Sequence, residues 1–354
     1  MNPIRFGLCG LGRIGVVHCR CFSQEKDKYQ LVAVCDREAE RADKLREEYR
    51  CAGYTDFAEF LKNPEMELAV IVTRSQDHVN HAAQALAAGK VVLLEKPIAV
   101  THDDLRTLRE LDKTYPGRLF FLHNHRFEPS FQSVQRIIAT GVLGEIQLVK
   151  IRRHHSFGRR RDWQTLLEYG GGQLSCWGPH IIDQALQLIH SPVKDIWSHL
   201  KRVHALGDAD DHVKILLVGE NGIVADLEIS YTVALPEAYC TVYGNRGSLI
   251  CADEKTLQLK YMEPGYRLPE RQVVPGLPPP NGGFGNDEDF RWVQKTVKVE
   301  PEGNMWELVE FEIARHLYRA IRENIPFPVR NADALEVARV TEVVKQQNPQ
   351  FKWL

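Results

Sequence analysis

Apolar residues follow two rhythms along this chain, and the rhythm changes near Asn124. Before that point, short continuous apolar runs alternate with stretches whose apolar positions recur at helical spacing. The runs at 4–9, 31–35, 67–72, 91–94 and 119–122 read as strands, and their unbroken apolar character suits a parallel sheet covered on both faces. Between them, 38–50, a turn near 57–61, 76–88 and 101–113 read as helices, the last with Thr101 and Asp104 at capping-box spacing. Repeated βα units of this kind predict a doubly wound parallel sheet. After a helix at 129–140, closed by Gly141, the period shortens to two. Strands are expected at 146–152, 193–203, 213–217, 223–231, 239–243 and 248–251, with a tight turn at Glu220-Asn221-Gly222. That predicts an α+β second domain with a large, mostly antiparallel open sheet. One helix is expected at 179–189, with Gly178 as its N-cap and Pro179 in its first turn. The proline- and glycine-dense segment 263–286 reads as an irregular loop, and helices at 305–322 and 332–346 close the chain.

Composition narrows the classes without choosing among them. A chain of 354 residues, 44% hydrophobic, can bury a sizeable core and suggests two domains. A formal charge of −2 from 45 basic and 47 acidic residues gives no electrostatic footprint for nucleic acid. The basic run Arg159-Arg160-Arg161 reads as a local, solvated loop. No stretch approaches the ~18 consecutive apolar residues of a membrane span. The sequence enters its first strand at once, so a cytoplasmic protein is expected. Eight cysteines lie without C-x-x-C spacing; Cys9 and Cys35 fall in strands, and Cys19 and Cys21 face different sides of one helix. Neither disulfides nor a metal centre is expected.

Candidate chemistry begins at the first strand's end. Gly10-Leu11-Gly12-Arg13-Ile14-Gly15 is a G-x-G-x-x-G turn between a strand and a helical pattern, the context in which that motif cradles a dinucleotide. Gly10 permits the sharp turn, Gly12 lets backbone approach a pyrophosphate, and Gly15 allows close helix packing. Asp36 ends the second strand about twenty residues later, where a carboxylate accepts from ribose hydroxyls. NAD is therefore the expected cofactor, with NADP made possible by Arg37. Ligands of such sheets bind at the carboxyl ends of the strands. That directs attention to Thr73-Arg74-Ser75 and His78, to Glu95-Lys96-Pro97, and to His123-Asn124-His125-Arg126. Lys96 is placed to bond both a ribose and a substrate oxygen. In the second domain Gly170-Gly171-Gly172 precedes His180 and Asp183, which share one helical face. A histidine beside a carboxylate suits proton transfer near neutrality. His154 and His155 are neighbours on a strand and point to opposite faces, so only one can line a pocket.

Taken together these motifs resemble the Gfo/Idh/MocA family of sugar-directed dehydrogenases. The resemblance runs through the glycine turn, Glu95-Lys96-Pro97, Asn124-His125-Arg126-Phe127-Glu128-Pro129, Gly144-Glu145-Ile146, residues 171–183, Gly244-Asn245-Arg246-Gly247 and the final helix. It implies a Rossmann domain over 1–124, a substrate and oligomerisation domain over 125–329, and a helix at 330–354 returning to the first domain. It also implies Lys96 and His180 as catalytic residues, and a homodimer or homotetramer through the second sheet. The expected reaction is reversible oxidation of a secondary alcohol on a sugar, polyol or inositol-like substrate. His180 takes the proton, Asp183 orients it, and Lys96 polarises the oxygen. Arg126, His155, Arg161, Trp163 and Cys176 are the expected pocket wall. Some relatives are instead redox-neutral lyases or glycoside hydrolases that recycle NAD, and a few are dinucleotide-sensing regulators. Two positions depart from the family pattern: Arg74-Ser75 stand where many members have proline and asparagine, and Cys176 stands where an acid is often found.

Overall fold

The apolar runs of the first third assemble into one sheet. The computed structural model describes residues 2–155, 157–278, 289–300 and 303–352. In order, β1 (Ile4–Cys9), α1 (Arg13–Gln24), β2 (Tyr29–Cys35), α2 (Ala39–Tyr49), β3 (Ala52–Tyr54) and α3 (Phe57–Leu61) form the first half of this unit. The second half is β4 (Leu68–Ile71), α4 (His78–Ala87), β5 (Val91–Leu94), α5 (His102–Thr114) and β6 (Leu119–Phe121). The strand order is β3-β2-β1-β4-β5-β6, all parallel, so the order reverses between β1 and β4. That reversal opens a crevice at the carboxyl edge beside the glycine turn.

The second unit runs α6 (Pro129–Ala139), β7 (Ile146–His154), α7 (Gln173–Cys176), α8 (Gly178–Ile189), β8 (Val193–Lys201), β9 (His212–Gly219) and β10 (Val224–Ser230). It continues through β11 (Cys240–Gly244), β12 (Gly247–Cys251), β13 (Thr256–Met262) and β14 (Trp292–Lys298). These strands form an open sheet in the order β14-β13-β12-β11-β7-β10-β9-β8. Pairing is antiparallel except between β7 and β10, which run parallel at its middle. Alternation sets its two faces. Val213, Ile215, Leu217, Ala225, Leu227 and Ile229 point into the core against α8. Lys214, Asp226, Glu228 and Arg152 pair on the other face.

The final helices, α9 (Met305–Glu323) and α10 (Asn331–Gln347), join the two units. Ile313, Ala314 and Leu317 of α9 enter the core of the first sheet with Ile4 and Phe22, and Tyr29 Oη donates to the Ala314 carbonyl at 2.7 Å. Residues 305–323, assigned to the second domain on sequence, thus pack with the first. α10 wedges between the units: Ala334 and Ala338 lie in one core, Val337, Val340 and Val344 in the other.

Several local expectations change. The helix carrying His180 begins at Gly178 with Trp177 as its N-cap, and a separate turn of helix, α7, precedes it. β3, β13 and β14 were not anticipated. β3 has three residues, and β14 is an edge strand whose lysines are solvent-facing, so neither carries a clear alternation. Of the loop expected at 263–286, residues 263–278 carry no helix or strand, and 279–286 lie outside the described residues.

Candidate active site

The glycine turn is built for close approach. Gly10 has φ +97°, and a Cβ there would meet the Val72 carbonyl oxygen at 2.4 Å. A Cβ on Gly15 would come within 1.9 Å of the Gly10 oxygen, so the turn closes only with glycine at both positions. Gly12 differs: its Cβ would meet nothing within 4 Å, which leaves its outer side open to a ligand. No side chain caps α1, so the N–H groups of its first turn are available to an anion. Asp36 is buried and steadied by Leu11 N at 2.7 Å and Glu38 N at 2.9 Å, with lone pairs remaining for hydroxyl donors. Arg37 beside it is mostly exposed. These residues fit a dinucleotide: Gly12 to Ile14 would hold the pyrophosphate and Asp36 the adenosine ribose.

The two units meet at Lys96. A cis bond joins Lys96 to Pro97 at the end of β5. The lysine reaches across to donate from Nζ to the Cys176 carbonyl at 3.1 Å. That carbonyl closes α7, whose start is fixed by Asp210: the acid accepts from Leu174 N at 2.8 Å through its side chain and from Gln173 N at 2.9 Å through its carbonyl. Gly172, at φ +108°, is required here, because a Cβ would lie 2.2 Å from Asp210 Oδ1. The triple glycine therefore serves to dock this turn on Asp210. One turn later His180 is buried, its ring 4.0 Å from that of His125 and 5.6 Å from that of Trp177.

Burial first, and then the neighbouring His125, Lys96 and His123, hold His180 well below the ordinary histidine range. It is neutral near pH 7 and can accept a proton. Burial pushes His123 down to about 4. The Cys176 thiol is raised by burial despite Lys96 and Arg160 nearby, so it too is neutral.

Asp183 does not orient His180. Its two oxygens take a bidentate pair from Arg126, with Nε at 2.9 Å and Nη2 closer still. Arg126 is also bound through Nη1 to the Pro328 carbonyl at 2.7 Å and to Asp333 at 3.2 Å. Arg126 is buried in this joint and is not a pocket wall. The histidine is steadied instead by the His125 and Trp177 rings. Glu128 anchors His125 through Nδ1 while also receiving Arg153, Gln184 and the Tyr239 hydroxyl. Although burial alone would raise its pKa, Arg153 and His125 hold Glu128 down to about 2.

The remaining expected residues divide. His155 lies between the Trp177 and Tyr231 rings, at 5.4 and 4.9 Å, while His154 is turned toward Glu228. Arg161 is exposed; its neighbour Arg160 turns inward. Trp163 is next to Arg74, which stacks 4.7 Å from the Tyr169 ring. His78 is buried, with both ring nitrogens against the Thr73 and Pro97 carbonyls, so it links two strand-end loops rather than facing a cofactor. Asn124 donates to Glu310 at 2.5 Å, Glu310 lies 2.8 Å from His18, and His18 is 3.9 Å from Glu95. This buried cluster beneath Lys96 uses a residue of α9 that no local motif marks. Burial raises the Glu95 carboxyl. His125 falls in a stretch that the sequence marks at a strand end, whereas no functional expectation attaches to Tyr231, Glu310 or Trp306, whose rings and carboxylate reach this region through long-range contacts.

Comparison with known proteins agrees with this architecture. Residues 4–123 match the oxidoreductase family with NAD-binding Rossmann fold, GFO_IDH_MocA, and 131–250 match the GFO/IDH/MocA C-terminal domain. The chain is 31% identical over 291 residues to the uncharacterized oxidoreductase YdgJ of Escherichia coli, covering 79% of this chain and 78% of that protein. It is 23% identical over 367 residues to scyllo-inositol 2-dehydrogenase (NADP(+)) of Bacillus subtilis, covering 98% and 94%. The crystal structure of an NAD-binding protein from Listeria innocua superposes with a TM-score of 0.79 at 21% identity, covering 99% of this chain and 96% of that one. No helix among the described residues is long and apolar enough to cross a membrane. The chain belongs to the GFO/IDH/MocA oxidoreductase family, with an NAD-binding Rossmann unit and the family's C-terminal domain.

Proposed function

We propose that this protein is a dehydrogenase that oxidises a secondary alcohol of a polyhydroxylated substrate, and reduces the ketone in reverse. The observation that carries the reading is the convergence of Lys96 and His180: a lysine from a strand end of the Rossmann unit contacts the end of α7, the short helix directly before the one that carries His180. A bound nicotinamide cofactor would supply the hydride acceptor at its C4. Lys96 Nζ is suited to hold the substrate oxygen and stabilise charge on it as the C–H bond breaks. His180, neutral by burial, takes the hydroxyl proton as general base and returns it in reduction. The His125 and Trp177 rings restrict its motion, and Glu128 steadies His125. The inositol dehydrogenase among the relatives supports a cyclic or linear polyol as substrate. NAD is favoured over NADP, since a 2′-phosphate would be set beside the buried Asp36 carboxylate.

The test is a panel of sugars, polyols and inositols followed by nicotinamide absorbance with NAD and with NADP. Turnover of at least one member is expected, with a lower dissociation constant for NAD. Lys96→Ala is expected to cut kcat by about 10²-fold or more while cofactor affinity changes only severalfold. Tight cofactor binding without turnover of any member would reject the dehydrogenase reading.

A further inference from the structure

Arg160 lies in a basic run that the sequence reads as solvent-facing, yet its guanidinium is turned toward the reaction site. Asp162 Oδ2 receives its Nε at 3.0 Å and its Nη2 at 2.8 Å, and Gln164 Oε1 receives Nη2 as well. Asp162 is itself locked by Gln164 N at 3.0 Å. The remaining nitrogen, Nη1, has its contact on the far side, at 4.0 Å from Cys176 Sγ. Lys96 Nζ meets the carbonyl of the same residue. Two cations therefore flank Cys176, and bond lengths within one cysteine keep them no more than about 12 Å apart.

Lys96 and Arg160 lie about Cys176, with Asp210 and Asp162 as the nearby acids. The residue between the cations is a thiol, kept neutral by burial. Asp162, the carboxylate paired with Arg160, is nearly half exposed. Arg74 is held by the Trp163 and Tyr169 rings and has no carboxylate contact among the described residues. A neutral polyol would leave Arg160 Nη1 facing a weak sulfur acceptor, whereas an oxyanion would give it a charge-assisted bond.

We infer that the substrate is a polyhydroxylated acid, whose anionic group is received by Arg160 while its secondary alcohol lies at Lys96 and His180. This rests on the dehydrogenase reading and narrows its substrate class. The anion is a carboxylate or a phosphate monoester, and the probes distinguish the two.

The experiment is calorimetric titration of the enzyme–NADH complex with glucose, glucuronate and glucose phosphate, for wild type, Arg160→Met and Arg160→Lys. One anionic member is expected to bind at least about tenfold tighter than glucose, since a charge-assisted hydrogen bond contributes that much. Arg160→Met is expected to bring the ratio within about twofold, and Arg160→Lys to restore part of it. Equal affinities in wild type, no measurable binding of either anion, or a preference unchanged in Arg160→Met would each overturn the inference. Because binding is read without turnover, its failure is separate from that of the dehydrogenase reading, which fails only if no substrate reduces NAD.

Discussion

In the proposed reaction, the acid–base chemistry turns on Cys176. Its thiol is buried and neutral, so it gives no electrostatic support to an imidazolium at His180. His180 accordingly titrates below the ordinary histidine range, because burial and cationic neighbours disfavour its charged form. A general base works only when deprotonated, so activity in alcohol oxidation is lost as pH falls through this depressed pKa. The acidic limb of kcat/KM should therefore lie below the ~6.5 of an unperturbed histidine. Cys176→Asp sets a carboxylate at the end of α7, just before the His180 helix, and is expected to move that limb to higher pH, with measurable turnover remaining. A limb that stays in place in the variant, read in buffers of constant ionic strength, would show that His180 is not the titrating base. The positions of Lys96 after a strand and of His180 near a helix start were legible in sequence, because each belongs to a short local motif. The partner of Asp183 was not. Helical spacing brings Asp183 to the same side as His180, but it says nothing of an arginine 57 positions earlier that satisfies both carboxylate oxygens. Buried charges pair where geometry is best, and that pairing is long-range.

At the scale of elements, α8 carries His180 against the His125 ring and uses its other contacts to fasten itself down. Asp183 ties it to Arg126 in the 3₁₀ turn after β6, and through Arg126 to Asp333 of α10. Gln184 ties it to the His125 carbonyl at 3.0 Å and to Glu128 at 2.9 Å. Removing one half of a buried ion pair leaves the other uncompensated. Asp183→Asn is thus expected to cost on the order of 3 kcal/mol of stability in denaturant titration. The limb of the pH–rate profile should remain where it is, since Asp183 does not touch the base. A shifted limb with undiminished stability would instead restore Asp183 to the proton path. Glu128 belongs to the same fastening. Its carboxyl is depressed to about 2, so the stability it confers is complete above the ordinary carboxylate pKa and is lost only as pH falls toward 2. The elements themselves were largely readable. Apolar runs gave the parallel strands of the first sheet, and alternation gave β7 to β12. The parallel pairing of β7 with β10 was hidden, because it depends on which strands meet after an excursion through two helices and two intervening strands.

The whole molecule closes the site from both units and from the chain's end. α9 supplies Glu310 beneath Lys96, and α10 supplies Lys345, whose Nζ lies 3.7 Å from Asp210 Oδ1. Asp210 in turn carries the start of α7 and so the carbonyl that Lys96 binds. Both groups of this pair are buried, and burial raises the acid and lowers the lysine. Lys345 is the neighbouring charge that opposes the rise in Asp210. Lys345→Met removes it, so the folded-state pKa of Asp210 climbs further above its unfolded value. A group raised in this way lends its full stability below the unfolded pKa and loses it as pH rises through the folded one. The melting temperature of Lys345→Met, relative to wild type, is therefore expected to fall as pH rises above the ordinary carboxylate range, because the unfolded acid ionises there before the folded one does. Cofactor affinity should change little, because the glycine turn and Asp36 make no contact with this joint. A difference in melting temperature that stays constant as pH rises above that range would mean that Lys345 contributes packing alone, and that Asp210 keeps its charge by means of the Gln173 and Leu174 N–H groups.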